Sequence, residues 1–355
     1  MIQENISLKD LTTFHIGGPA RYFVVVTSTE ELKEAVAFAK EKLLQIFILG
    51  GGSNILVSDQ GFPGLVIKIE IQGIETREVD GNKVEVIAGA GEDWDQFVGK
   101  MVEHGLYGIE NLSLIPGSVG AAPVQNIGAY GVEAKDSISW VEVLNIETGE
   151  VEKLSNAQCA FAYRDSIFKT PEGKKYIITR VAFSLSREGK LSTEYKDVAE
   201  YIKNNNVVEI NLQKIRDIVI AIRTAKLPDV RHVGTAGSFF KNPIIAEIQF
   251  NELKKQYPDL PGFTTASHPS FSKEGQGDGV SIKIPAAWLL DKLCGFKGYR
   301  VGNVGVYKTQ ALVLVNFNGA TANEIFSLSE KMIACVKEKT NIILEREVHI
   351  IGEII

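Results

Sequence analysis

The chain has 355 residues, 45% of them hydrophobic, and a mean hydropathy of +0.03, which fits a globular protein of two or three domains rather than one core. A net charge of −6 and an isoelectric point near 5.6 argue against nucleic acid and against an anionic membrane as partners. Cys159, Cys294 and Cys335 show no metal-ligand spacing, their odd number argues against a disulfide scaffold, and the N-terminal residues 1–10 lack the apolar run of a signal peptide, so a cytoplasmic protein is expected.

In chain order, Thr12–Gly18 is a turn-rich entry to an aromatic and β-branched strand, Ala20–Val26. Thr27-Ser28-Thr29-Glu30 then caps a helix with Leu32, Ala35, Val36 and Ala39 on one face. A strand at Gln45–Leu49 runs into Gly50-Gly51-Gly52-Ser53-Asn54 and a second apolar run, Ile55–Val57. Consecutive backbone N–H groups in such a loop can form a nest for phosphate oxygens, although a tight turn between two strands has the same composition. The spacing is not G-x-G-x-x-G and no long helix follows, so the dinucleotide-binding βαβ unit is excluded.

β-rich sequence follows at Leu65–Ile69 and Lys83–Ala88, then an amphipathic helix, Asp93–His104, carrying Trp94, Phe97, Val98 and Met101. Asn111 to Val132 holds no charged side chain, two prolines and four glycines, bracketed by Glu110 and Glu133. The glycines and prolines exclude a membrane span and break every helix or strand period. Neutral, glycine-rich backbone of this kind suits close approach to a large, flat ligand. Strands are predicted at Ser139–Asn145, Glu150–Lys153 and Lys175–Leu185, and helix within Asn204–Arg223. A boundary falls at Arg223–Asp229. Beyond it lie Gly237–Pro243, a helix at Ile244–Gln256, a polar glycine-rich loop near Lys273–Gly279, a helix at Pro285–Leu293, a buried strand at Thr309–Asn316, a long helix at Ala322–Lys339 and a final strand at Ile342–Ile350.

Five motifs in this order, Gly50–Asn54, Ile115–Gly131, Tyr163–Lys169, Gly237–Pro243 and Leu344–Val348, resemble those of the UDP-N-acetylenolpyruvoylglucosamine reductases. The resemblance covers roughly Thr12 to Ile351 and implies an α+β protein. Its parts would be a two-part FAD-binding unit of the vanillyl-alcohol-oxidase type and a smaller α+β substrate-binding C-terminal domain. The expected boundaries are 1–72 and 73–223 for the two FAD subdomains and 224–344 for the substrate domain, with residues 345–355 returning toward the first. The implied reaction is NADPH-dependent reduction of UDP-N-acetylglucosamine enolpyruvate through non-covalent FAD, in peptidoglycan precursor synthesis. A monomer with small-molecule partners only, and no metal, is expected.

Carried over residue by residue, Arg164 would steady the enolate, Ser238 would give the proton to C2, and Glu347 would be the third catalytic group. Glu345, Glu347 and His349 share one face of the expected last strand, and the resemblance, not the pattern, selects Glu347. Lys241 stands close enough in sequence to ease ionisation of Ser238. The cofactor set is Gly50, Gly51, Gly52, Ser53 and Asn54, then Pro116, Gly117, Ser118, Gly120, Ala121 and Ala122, with Gln125, Asn126 and Gly128 near the isoalloxazine edge. Ala121 and Ala122 stand where family members often carry serine. Tyr195, Lys226, Asn242 and Gln310 are the substrate-binding expectations, Tyr195 resembling the tyrosine of the loop that covers substrate. His15 and His104, the candidates for covalent flavin attachment, lie outside the flavin-facing motifs. A flavin oxidase on the same scaffold would explain the glycine motifs but not Arg164, Ser238 and Glu347 together. A flavin-binding regulator would need none of the three.

Overall fold

The computed structural model describes residues 1–265 and 280–354, so the loop near Lys273–Gly279 lies outside the described residues. The chain forms two compact units: 1–12, 18–53 and 60–226 in the first, and 13–17, 54–59 and 227–355 in the second.

The first unit holds two main sheets. One has the strands Gln3–Ser7, Pro19–Val26, Phe62–Ile69 and Ile46–Leu49 in that spatial order, with the last three mutually parallel. Helix Thr29–Glu41 covers it; the Ser28 side chain accepts from the Glu31 N–H, and Leu32, Ala35, Val36 and Ala39 are buried. The other is an antiparallel five-stranded sheet with Val151–Ser155, Ile138–Asn145, Tyr176–Ser186, Lys83–Gly89 and Ile74–Glu78 in spatial order. Helix Trp94–Glu103 packs on it through Trp94, Phe97 and Phe183, whose ring centroids lie 5.0–5.9 Å apart. Trp94 Nε1 donates to the Leu112 carbonyl at 2.8 Å, so this aromatic core also anchors the start of the neutral stretch. Helices Lys196–Asn204 and Leu212–Lys226 complete the unit.

In the second unit, the strand His349–Ile351 pairs in parallel with Ile55–Val57. Asp59 accepts from the N–H groups of Ala322 and Asn323 and, with the Thr321–Glu324 capping box, fixes the start of the helix Ala322–Thr340. Two small antiparallel sheets, Ile244–Ala246/Ser281–Lys283/Phe263–Thr265 and Arg300–Val301/Val304–Val306/Leu314–Asn316, close around Phe239, Phe240, Leu289, Leu314 and Met332.

Several expectations are corrected. Residues 244–246 are strand and the helix begins at Glu247, because those residues pair with Ser281–Lys283. The helix expected at Pro285–Leu293 is one α-turn and one π-turn. The strands expected at Thr309–Asn316 and Ile342–Ile350 shrink to Leu314–Asn316 and His349–Ile351. Cys294 and Cys335 form a disulfide between the π-turn and the long helix, with Cα atoms 6.2 Å apart, and Cys159 is the free cysteine. Among the described residues no helix is long and apolar enough to cross a membrane.

Candidate active site

In the first unit, the glycine loop after Ile46–Leu49 meets the neutral stretch backbone to backbone. A Cβ on Gly51 would lie 2.7 Å from Gly117 Cα, one on Gly50 2.6 Å from Ser118 Oγ, and one on Gly120 2.5 Å from the Ala90 side chain. Gly52 adopts φ +62°, and a Cβ there would stand 2.1 Å from the Leu11 carbonyl oxygen. At Gly51 and Gly52, where the contact is backbone, no side chain fits. Ser53 Oγ donates to the Pro116 carbonyl at 2.8 Å and ties the two loops together. The N–H groups of Gly51, Ser53, Gly117 and Ser118 donate to no protein acceptor among the described residues, which is the arrangement of an anion-binding cradle. Ala122 is buried and Ala121 half-buried.

Further along the stretch, Asn126 is wholly buried at φ +45°. Its amide donates to Glu133 and to the Ala162 carbonyl, and its side-chain oxygen accepts from the Lys135 N–H. The side chain expected at the isoalloxazine edge is thus consumed inside the protein, leaving backbone as its means of contact. Arg164, also left-handed at φ +53°, donates to the carbonyls of Gly128 at 2.7 Å and Asn126 at 3.4 Å, over the face of Tyr163. Such backbone is uncommon for a bulky residue, and the hydrogen bonds and packing around Arg164 maintain it.

Tyr195 sits at the start of helix Lys196–Asn204, 46% exposed, its ring edge-on to Tyr130 with centroids 5.5 Å apart. Burial raises both phenols above their ordinary pKa, and Asp197 raises them further, so both hydroxyls stay protonated through neutral pH. Lys226 Nζ lies 2.6 Å from Asp197 Oδ2, which holds the ammonium beside the Tyr195 segment. Arg223 is half-buried: its Nε donates to the Leu114 carbonyl at 3.1 Å, and its guanidinium interacts electrostatically with Tyr130. Burial draws Arg223 below its usual pKa, offset by Tyr130 and Asp95.

In the second unit, Ser238 follows Gly237 at φ +74° and bridges to Val313, while the Phe239 N–H bonds the Leu312 carbonyl at 2.8 Å. On its other side the same segment pairs with residues 345–347: Glu347 N–H to Phe239 O and Lys241 N–H to Glu345 O, both 2.9 Å. Ser238, the Gln310–Leu312 turn and Glu347 thereby occupy adjoining rungs. Lys241 Nζ pairs with Glu345 at 2.5 Å, so the lysine serves that carboxylate instead of Ser238. The Glu347 carbonyl accepts from Asn54 Nδ2 at 3.1 Å, which assigns the last residue of the glycine motif a role in this unit. Asn242 Oδ1 accepts from the Ala286 N–H at 2.9 Å and ties its loop to the turn beginning at Ala286, while Gln310 Oε1 accepts from the Leu312 N–H at 3.4 Å within its own loop. His15 and His104 bond the Val230 and Lys100 carbonyls. Gln125, half-buried, lies beside Asn126.

Sequence reading passed over Tyr130, Arg223, Asn111 and Asp197. The available signal was Tyr130-Gly131: a tyrosine where a two-residue hairpin turn favours asparagine.

Residues 20–155 match the FAD binding domain, and residues 229–351 match the C-terminal domain of UDP-N-acetylenolpyruvoylglucosamine reductase. The Flavobacterium johnsoniae protein named UDP-N-acetylenolpyruvoylglucosamine reductase is 42% identical over 351 residues, 99% of both chains. The protein of that name from Pasteurella multocida is 40% identical over 348 residues, 98% of this chain and 96% of its own. The crystal structure of UDP-N-acetylenolpyruvylglucosamine reductase from Thermus caldophilus is similar with a TM-score of 0.66 at 26% identity, covering 99% of this chain and 100% of that one.

Proposed function

Since the chain belongs to the UDP-N-acetylenolpyruvoylglucosamine reductases, FAD-binding oxidoreductases of peptidoglycan precursor synthesis, we propose that it reduces UDP-N-acetylglucosamine enolpyruvate to UDP-N-acetylmuramate with NADPH as the electron source. The residues present fit FAD: the paired glycine loops exclude side chains and offer uncommitted N–H groups to a diphosphate. Gly50 to Ser53 and Pro116 to Ala122 would hold it, and the backbone of Gln125, Asn126 and Gly128 would face its ring. Bound FAD supplies a two-electron relay by which the hydride of NADPH reaches C3 of the enolpyruvyl group.

The chain's own residues handle charge and proton. Arg164 neutralises the substrate carboxylate and the negative charge that develops at C2; a guanidinium keeps its charge at any working pH. Ser238 delivers the proton to C2, and Glu347 steadies the enol form. A serine hydroxyl is a weak acid, so it donates only to a strongly basic carbon held at hydrogen-bond reach. Lys226, Asn242, Tyr195 and Gln310 receive the UDP portion, local donors that an acidic chain needs for two phosphates. The observation that carries this reading is the ladder joining Phe239 to Glu347, which sets the proposed proton donor and the proposed carboxylate on neighbouring rungs of one unit.

Stopped-flow kinetics test it. Ser238→Ala leaves reduction of the flavin by NADPH fast and slows re-oxidation by the enolpyruvyl substrate by about 100-fold or more. Loss of the first half-reaction instead would remove Ser238 from the proton-donor role, and a colourless protein that takes up no FAD would end the reading altogether.

A further inference from the structure

The motif Tyr163–Lys169 ends in a lysine to which the proposed chemistry gives no part. The motif opens on a tight turn: the Ala162 N–H bonds the Asp165 carbonyl at 3.0 Å, and the Asp165 N–H bonds the Ala162 carbonyl at 3.2 Å. Tyr163 and Arg164 occupy the two corners, and Arg164 takes the second at φ +53°. A second corner with positive φ selects for glycine or asparagine and disfavours arginine. The competing turn, with both corners at negative φ, keeps the same bond from Asp165 to Ala162 and suits most residues. Contacts from outside the turn therefore decide which form it takes.

Two side chains supply such contacts. Asn126, wholly buried, donates from its amide to the Ala162 carbonyl at 3.0 Å, at the turn's entry. Lys169 Nζ donates to the Arg164 carbonyl at 3.2 Å, at its exit. The lysine is itself well rooted. It ends the short 3-10 helix Ile167–Lys169, whose Ile167 N–H bonds the Cys159 carbonyl at 2.9 Å, and the buried Ser166 before it donates to the Val124 carbonyl at 2.5 Å. A bond from an ammonium to a carbonyl is charge-assisted and stronger than a neutral one. Arg164 is thus held at both ends, its main chain by Lys169 and its guanidinium by the carbonyls of Gly128 and Asn126. A Cβ on Gly128 would lie 3.1 Å from Arg164 Nη1, so the guanidinium rests directly on that backbone.

We propose that Lys169 is a positioning residue: by holding the Arg164 carbonyl it keeps the left-handed turn, and so sets the guanidinium where it meets the carboxylate of the substrate. The proposal rests on the reading that Arg164 takes that carboxylate. Lys169 then acts on the carboxylate-bearing end of the ligand alone and contributes nothing to recognition of its UDP or sugar portion.

Two ligands separate these roles on the FAD-loaded enzyme, because UDP-N-acetylmuramate carries a carboxylate and UDP-N-acetylglucosamine does not. In calorimetric titrations, Lys169→Met weakens binding of UDP-N-acetylmuramate about tenfold and of UDP-N-acetylglucosamine by less than about twofold. Lys169→Arg, which keeps a charged donor, holds both within about threefold of wild type. Arg164→Met weakens the carboxylate-bearing ligand by about tenfold or more. Adding Lys169→Met to it weakens that ligand by less than about a further twofold, since the lysine acts through the arginine. If Lys169→Met yields no folded protein, Lys169→Gln, shorter and neutral, takes its place with the same expected loss. Equal weakening of both ligands, weakening of neither, or full additivity in the double variant overturns Lys169 as a positioning residue. Equal effects on the two ligands in Arg164→Met would instead remove Arg164 from the carboxylate, and this inference with it.

Discussion

Replacing Gly51 with alanine tests the candidate cofactor cradle at the point where its two loops meet backbone to backbone. The added Cβ would sit 2.7 Å from Gly117 Cα and 3.0 Å from Gly117 C, with backbone on both sides of the contact. Backbone cannot rotate away as a side chain does, so the two loops must separate. Overpacking of this sort costs about 1–3 kcal/mol. If the loops hold diphosphate between their N–H groups, that energy appears in cofactor affinity, and at 1.4 kcal/mol per decade it weakens FAD binding about 5- to 150-fold. The assay is titration of flavin-stripped protein, reading the quenching of flavin fluorescence, with Tm of the flavin-free protein measured in parallel. Gly81→Ala is the control, since nothing lies within 4 Å of its Cβ position. Wild-type affinity and Tm in Gly51→Ala would refute the contact itself. A lower Tm with unchanged affinity would keep the contact and remove it from the cradle.

The remaining expectations are simpler to read. Asp59→Ala removes the acceptor for two N–H groups at the start of helix Ala322–Thr340 and lowers stability by about 1 kcal/mol in thermal melts. Cys159, buried, has its thiol pushed up to about 12; together with the Cys294–Cys335 bridge this leaves native protein unreactive to a thiol reagent at pH 8, with one thiol after denaturation and three after reduction. For Asp95, burial raises the pKa, but the Arg216 guanidinium and the Leu114 N–H outweigh it and leave the carboxyl below its model-peptide value of 3.8. A folded pKa below the unfolded one stabilises above the unfolded value, so the stability gap between wild type and Asp95→Asn narrows as pH falls from 5 toward 3 in denaturant titrations.

How much of this was legible follows from where the determinants lie. Period and capping gave Trp94–Glu103 nearly to the residue, and the start and buried face of Thr29–Glu41, because apolar faces and cap side chains are local features. The need for glycine in both loops was legible as composition, whereas the approach that Gly51 and Gly117 make to each other was not, because it joins segments distant in sequence. Residues 244–246 were misread as helix because their strand partner, Ser281–Lys283, is distant in sequence. The Cys294–Cys335 pair was missed for the same reason: 41 residues separate the cysteines and only the fold of the helices brings them together. Tyr130 and Arg164 adopt left-handed backbone against their intrinsic preference, so no propensity could announce them. Two buried asparagines hold carbonyls in these loops, Asn111 that of Tyr130 and Asn126 that of Ala162, two residues before Arg164.

The place of Lys241 bears on how a serine can act as the acid at all. Its sequence position beside Phe240 and near Ser238 invites the reading that it lowers the hydroxyl pKa. Its ammonium instead pairs with Glu345, and its stem is mostly covered, with 13% of the side chain exposed. As the proposed proton donor, Ser238 would then rely on the basicity of the carbon it protonates and on placement by the Phe239–Glu347 ladder. Lys241→Met keeps the backbone bond to Glu345 O and the packing of the stem, and it removes a pair whose carboxylate side chain is 69% exposed, worth about 0–1 kcal/mol. Re-oxidation of reduced enzyme by the enolpyruvyl substrate should therefore stay within about threefold of wild type in Lys241→Met, while Glu347→Gln slows it by about 100-fold or more. Equal damage from Lys241→Met and Ser238→Ala would show that the lysine acts on the serine after all, and that the Glu345 pair gives way once substrate is bound.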